Sequence, residues 1–207
     1  MVSAKYKTRR SRIGVVSIVV SIAFGFAIAS WEHLLAQVHK ASAMAYSSMR
    51  MADGKRWTTR NLDVKAIPSY CYDGSELNCR QYGRLYTWES AQRACQLLGD
   101  GWRIPTDEEW RQLARHYGGL LKESVEKGRS SYKALRAGGS SGFNALLGGG
   151  RSPDGKYARL EDHGFYWTAS ESGPATAWFY NFSKGLQALS RLTVEKQWAL
   201  SVRCVRE

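Results

Sequence analysis

Four cysteines, at positions 71, 79, 95 and 204, are the side chains of this 207-residue chain best able to do covalent or metal chemistry. A zinc site wants Cys-x-x-Cys pairs or histidines at ligand spacing. No Cys-x-x-Cys occurs, and His33, His39, His116 and His163 show no such spacing. An even number of cysteines in a segment expected to be exported points to disulfides, with three pairings open from sequence. The stretch Cys71-Tyr72-Asp73-Gly74-Ser75-Glu76-Leu77-Asn78-Cys79 is a short polar loop whose Asp-Gly turn brings its ends together. A Cys71–Cys79 bond is the simple consequence, and it leaves Cys95 to meet Cys204.

Acid–base chemistry could be sought at Glu161-Asp162-His163, and a nucleophile beside a carboxylate at Ser170-Glu171. No nucleophile elbow surrounds the serine, and His163 falls in a charged loop before a strand, so these are read as solvated loop residues. The glycine-rich stretch 138–151 lacks the Lys-Ser/Thr ending and the strand–Gly–helix setting of a phosphate loop, and its glycines are read as turn and bulge residues. No catalytic residue, metal or cofactor is expected.

The elements that must position these side chains centre on residues 94–110. Ala91, Ala94, Cys95 and Leu98 lie at i, i+3, i+4 and i+7, one apolar face of a helix that starts near Thr87 and stops at Gly99. Thr106 and Glu109 predict a capping box that opens a second helix, whose apolar face is Trp110, Leu113, Ala114 and Tyr117 and whose end is Gly118-Gly119. Asp53-Gly54 predicts a turn before a strand anchored by Trp57 and Leu62. Three further strands are read at 165–170, 177–182 and 198–205, with turns at Ser172-Gly173-Pro174 and Lys184-Gly185.

Residues 13–31 carry no charge and follow a run containing Lys5, Lys7, Arg9, Arg10 and Arg12. Residues 1–12 are thus a basic cytoplasmic leader, 13–31 a single transmembrane signal anchor, 32–52 a helical stalk or linker, and 53–207 the folded domain, outside the cytoplasm. Ser17, Ser21, Gly25 and Ala29 form a small-residue stripe suited to close helix packing, with a membrane-helix partner or a second copy of the chain. Two alternatives stay open: cleavage at Ala27-Ile28-Ala29, and a pilin-like signal cut at Gly14. The net charge of +12 includes seven basic residues and one acid in residues 1–52; the +6 that remains is scattered among acids and excludes a nucleic-acid stripe.

Six ordered blocks carry a resemblance: Asp53-Gly54-Lys55-Arg56-Trp57 with Asn61-Leu62; Tyr82-Gly83-Arg84-Leu85-Tyr86-Thr87-Trp88; Gly101 to Trp110; Gly142-Phe143-Asn144-Ala145-Leu146; Tyr166-Trp167-Thr168-Ala169-Ser170-Glu171; and Ser201-Val202-Arg203-Cys204-Val205-Arg206. In this order they resemble the Fibrobacter succinogenes major paralogous domain, over roughly residues 50–207. That family looks like a branch of the C-type lectin-like fold, related to formylglycine-generating-enzyme domains and to the variable proteins of diversity-generating retroelements. The resemblance implies an α+β domain, two helices flanking a small, twisted, mostly antiparallel sheet, with its first and last strands adjacent. It also implies a helix-to-final-strand disulfide, in line with Cys95–Cys204. Many members write Cys-Pro-Ser-Gly-Trp where this chain has Leu98-Gly99-Asp100-Gly101-Trp102, so the cysteine sits earlier.

Sugar-binding lectins of this fold use Glu-Pro-Asn or Gln-Pro-Asp with Trp-Asn-Asp to hold calcium. Neither motif occurs, and Trp178-Phe179-Tyr180-Asn181 lacks the following acids. The reactive cysteine pair of the related enzymes is missing too. What remains is a binding surface in the last third, where Trp167, Trp178, Tyr180, Asn181, Lys184 and Arg191 mix large rings with polar ends. The expected function is non-catalytic recognition of a protein or glycan by a domain anchored in a bacterial inner membrane and facing the periplasm or exterior. The competing expectation is a structural subunit, the exposed head of an envelope or pilus-like assembly docked through its amino-terminal helix.

Overall fold

Thr106 accepts a hydrogen bond from the Glu109 N–H at 3.2 Å, while the Glu109 carboxylate accepts from the Thr106 N–H at 2.8 Å, so the capping box is complete. It opens the helix Asp107–His116. The computed structural model describes residues 46–99, 101–124 and 128–207. The leader, the membrane anchor with Ser17, Ser21, Gly25 and Ala29, and most of the stalk lie outside the described residues. Among the described residues, no helix is long and apolar enough to cross a membrane.

In chain order the elements are β1 (Ser48–Arg50), β2 (Arg56–Thr58), β3 (Ser69–Tyr70), a 3-10 turn (Tyr72–Gly74), α1 (Glu76–Tyr82), β4 (Leu85–Tyr86), α2 (Trp88–Gln96), α3 (Asp107–His116) and α4 (Arg129–Leu135). There follow β5 (Gly148–Arg151), β6 (Tyr157–Leu160), β7 (His163–Gly173), β8 (Thr176–Ser183), β9 (Ala188–Glu195) and β10 (Val205–Arg206). The largest sheet has the order β6-β5-β7-β8-β9 and is antiparallel except for the β5–β7 pair. A second sheet, β1-β2-β10, joins the first and last strands, and β3 pairs with β4.

Alternate residues of a strand face opposite sides, and β7 and β8 bury both. Trp167 and Phe179 face α2, whose Ala91, Ala94 and Cys95 are fully enclosed with Leu200, Val202 and Cys204. Tyr166, Tyr180 and Phe182 face α3 and α4 and surround Trp110 together with Trp57 and Phe143. Trp110 stacks on Tyr180 at 4.9 Å between centroids and meets Trp57 edge-on at 5.1 Å, the offset and T-shaped arrangements that ring quadrupoles favour.

Both disulfides are present: Cys71–Cys79 clips α1 to the 3-10 turn, and Cys95–Cys204 ties α2 to the chain just before β10. The architecture is α+β, with corrections to the sequence reading. Four helices, not two, occupy the described residues: α1 forms inside the stretch read as a polar loop, and α4 follows Gly128. Of the glycines read as turn and bulge residues, those of 148–150 lie within a strand, where Gly149 takes a left-handed backbone (φ 63°) and a Cβ on it would lie 2.5 Å from the Ala158 carbonyl oxygen. The third long strand is β9, at 188–195. Residues 199–205 are instead a buried thread that bridges Arg151, Tyr86, Tyr166, Arg103 and β2 in turn, so their alternation reflects burial among several partners and not one ladder.

Candidate functional site

Gly128 opens α4 in a left-handed conformation that a side chain would not tolerate, since its Cβ would sit 2.4 Å from the Leu189 carbonyl oxygen. The Gly128 carbonyl accepts from the Leu189 N–H, and the Leu189 carbonyl accepts from the Leu121 N–H, which docks α4 along the start of β9. Tyr132 and Leu135 are buried, so Lys133 and Arg136 are left exposed on the helix's other side. After α4 the chain doubles back: the Ala137 N–H donates to the Ala145 carbonyl, the Ala145 N–H to the Leu135 carbonyl, and the Ser141 hydroxyl to the Ala134 carbonyl at 2.7 Å.

This doubling-back forms one wall of a cleft of about 710 Å³. Its apolar floor is Tyr132, Ala145, Leu146 and Leu147; Lys184 and Gln187 reach it from the β8–β9 turn, and Tyr82 and Glu161 close the far side. Three cations, Lys133, Arg136 and Lys184, line one space, and none of them forms an ion pair with a described residue. Arg136 spends one N–H on the Ala137 carbonyl at 3.2 Å.

The single carboxylate in the cleft is held in place. Glu161 has a left-handed backbone (φ 59°), its N–H donates to the Leu147 carbonyl at 2.8 Å, and its carboxylate accepts from the Tyr82 hydroxyl. Tyr82 is buried, and burial together with the Glu161 carboxylate pushes its phenol up to about 12, so it stays a donor at neutral pH. The arrangement can attract an anion, offer a fixed acceptor to hydroxyl groups, and cover an apolar ring face.

The six residues expected to bind ligand do not converge. Lys184 lines the cleft. Trp167 and Tyr180 are wholly buried and Asn181 nearly so, which makes them core side chains with no surface for a ligand. The Trp167 indole N–H donates to the Tyr86 carbonyl, and Asn181 Oδ1 lies 2.9 Å from His163 Nδ1. Trp178 and Arg191 stand together on another face. The guanidinium carbon lies 3.2 Å from the indole centroid, and Arg191 grips Asp107 at 2.7 and 2.8 Å, so its charge is already matched.

The sequence reading missed Lys133, Arg136 and Tyr82, and set Glu161 aside as solvated. The available signal was the i, i+3 spacing of Lys133 and Arg136 on an amphipathic segment whose Tyr132 and Leu135 are apolar. Among the described residues, the one group of ligand atoms close enough to share a metal is Cys71, Glu76 and Cys79, and both sulfurs are spent in the disulfide.

Compared with known families, residues 41–206 match the family described as Fibrobacter succinogenes major domain. No curated protein matches the chain.

Proposed function

The chain belongs to the Fibrobacter succinogenes major domain family, and from that premise we propose that it is a non-catalytic binding module whose ligand site is the cleft between α4, Glu161 and the β8–β9 turn. The observation that carries this reading is the convergence on an apolar-floored cavity of three cations that form no ion pair among the described residues. Ligand sites characteristically set a few convergent polar groups over an apolar lining.

The domain is proposed to have the C-type lectin-like fold. The pairing of β2 with β10 and the bond from α2 to Cys204 support this. It is further proposed to sit outside the cytoplasm of a bacterial cell, held by residues 13–31; two disulfides suit an oxidising compartment. The test is to titrate the full-length chain in detergent with soluble acidic and neutral oligosaccharides and acidic peptides. Saturable binding of at least one, lost in the R136E/K184E variant, is expected. No binding, or binding indifferent to that variant, overturns the reading. Protease added to spheroplasts should digest the domain if it faces outward. In the same cells, S21L/G25L should leave ligand binding intact; loss of assembly would instead favour a structural subunit.

A further inference from the structure

We infer that the ligand of this cleft is an acidic saccharide, a short oligosaccharide whose sugar rings carry carboxylates beside free hydroxyls; this rests on the cleft being a binding site.

Three features select that chemistry. Among the described residues, Lys133, Arg136 and Lys184 have no carboxylate partner, so a ligand carboxylate would complete them. Close to the same space stands Glu161, an acceptor fixed by Tyr82 and by the Leu147 carbonyl. A ligand whose only polar groups are anionic would be repelled by that carboxylate, while one whose rings carry hydroxyl donors beside each carboxylate uses both kinds of group. The apolar floor of Tyr132, Ala145, Leu146 and Leu147 supplies area for a ring face.

An extended acidic peptide is disfavoured by the backbone. Peptides that join a sheet or groove draw affinity from main-chain hydrogen bonds, yet the floor's carbonyls are all engaged. Ala145 accepts from the Ala137 N–H, Leu146 from the Tyr166 hydroxyl at 2.6 Å, and Leu147 from the Glu161 N–H. The floor carbonyls that a peptide N–H would seek are thus already in use. At about 710 Å³ the cleft falls within the roughly 300–1,000 Å³ range of small-ligand sites, room for a few sugar rings and not for a folded partner.

The probe is trigalacturonic acid, titrated calorimetrically into the full-length chain in detergent, beside its methyl ester, triglutamate and inorganic sulfate. Saturable binding of the acid is expected, weakened at least tenfold by esterification and by R136E/K184E, weakened several-fold by E161Q, and unchanged by W178A. Unaltered melting temperatures establish that the variants fold. Equal binding of acid and ester, or binding of sulfate as tight as that of the acid, overturns the inference. Triglutamate binding through Arg136 and Lys184 while trigalacturonate fails would sink the saccharide and leave the binding site standing; if no probe binds, the saccharide inference falls and the cleft reading with it.

Discussion

Arg203 donates from Nε to Asn61 Oδ1 at 3.0 Å, with the guanidinium wholly buried and no carboxylate among its partners. Its remaining donors go to the carbonyls of Thr58 at 2.7 Å, Phe143 at 2.6 Å and Asn144 at 2.6 Å, and Phe143 lies beneath the guanidinium at 4.4 Å. Burial lowers its pKa from the ordinary arginine value. One side chain thus joins β2, the loop before β5 and the final thread through four acceptors. R203M removes the arginine's donors from the three carbonyls and leaves Asn61 Oδ1 with the Tyr166 hydroxyl at 2.9 Å; since each unmade buried hydrogen bond costs about 1–3 kcal/mol, urea denaturation should show a loss of at least about 3 kcal/mol. A double-mutant cycle with N61A should give a coupling of about 1–3 kcal/mol.

Glu109 meets Arg103 at 2.7 and 2.8 Å and Lys55 at 3.4 Å, besides its capping bond. Burial alone would raise its carboxyl, but the Arg103 hydrogen bonds, the Thr106 N–H and the two positive charges bring it down to about 2. A carboxyl with a depressed folded-state pKa contributes stability that is present above the ordinary glutamate range and lost as pH falls through the folded value. Thermal melts of the wild type should therefore fall between about pH 4.5 and pH 2. E109Q should be less stable at pH 7 and show a flatter acid limb.

The two disulfides should differ in weight. On the chain-entropy relation, closing the Cys95–Cys204 separation of 109 residues constrains the unfolded chain by about 4.8 kcal/mol. The Cys71–Cys79 separation of 8 residues gives about 2.5 kcal/mol. Denaturation of C95A/C204A and C71A/C79A should reproduce that order; a larger loss in the second would show that α1 depends on its clip for local packing.

Arg191 is a lock between β9 and α3, reached through Asp107 and covered by Trp178. Among the described residues, R191A leaves the Asp107 carboxylate with the Tyr180 hydroxyl at 3.1 Å as its remaining hydrogen-bond partner. A loss of about 1–3 kcal/mol is expected, as for charge-assisted pairs, with a change in Trp178 emission. Trigalacturonate binding should be unaffected, because this face is separate from the cleft lining.

What could be read in advance was whatever local rules control. The faces of α2 and α3, the capping box and the turn glycines depend on neighbours three or four residues away, and Ala91, Ala94, Cys95, Trp110 and Leu113 are buried as the spacing predicts. The strand aromatics were legible as large and apolar, but their spacing could not tell a recognition surface from a sheet covered on both faces. Trp167 and Tyr180, on opposite sides of the same sheet, show which applies. The cleft was illegible because its charges come from α4, the β6–β7 turn and the β8–β9 turn, and only the tertiary fold brings Lys133, Glu161 and Lys184 to one space.

The thread at 199–205 laces the interior shut. Ala199 joins Arg151, Leu200 joins Tyr86, Ser201 joins Tyr166, and the Val202 and Cys204 carbonyls take the N–H groups of Leu62 and Thr58. Each joint ties residues 199–205 to a different strand or loop elsewhere in the domain, so the two halves of the interior meet along this one segment. A single cut within it would loosen the core on several sides at once.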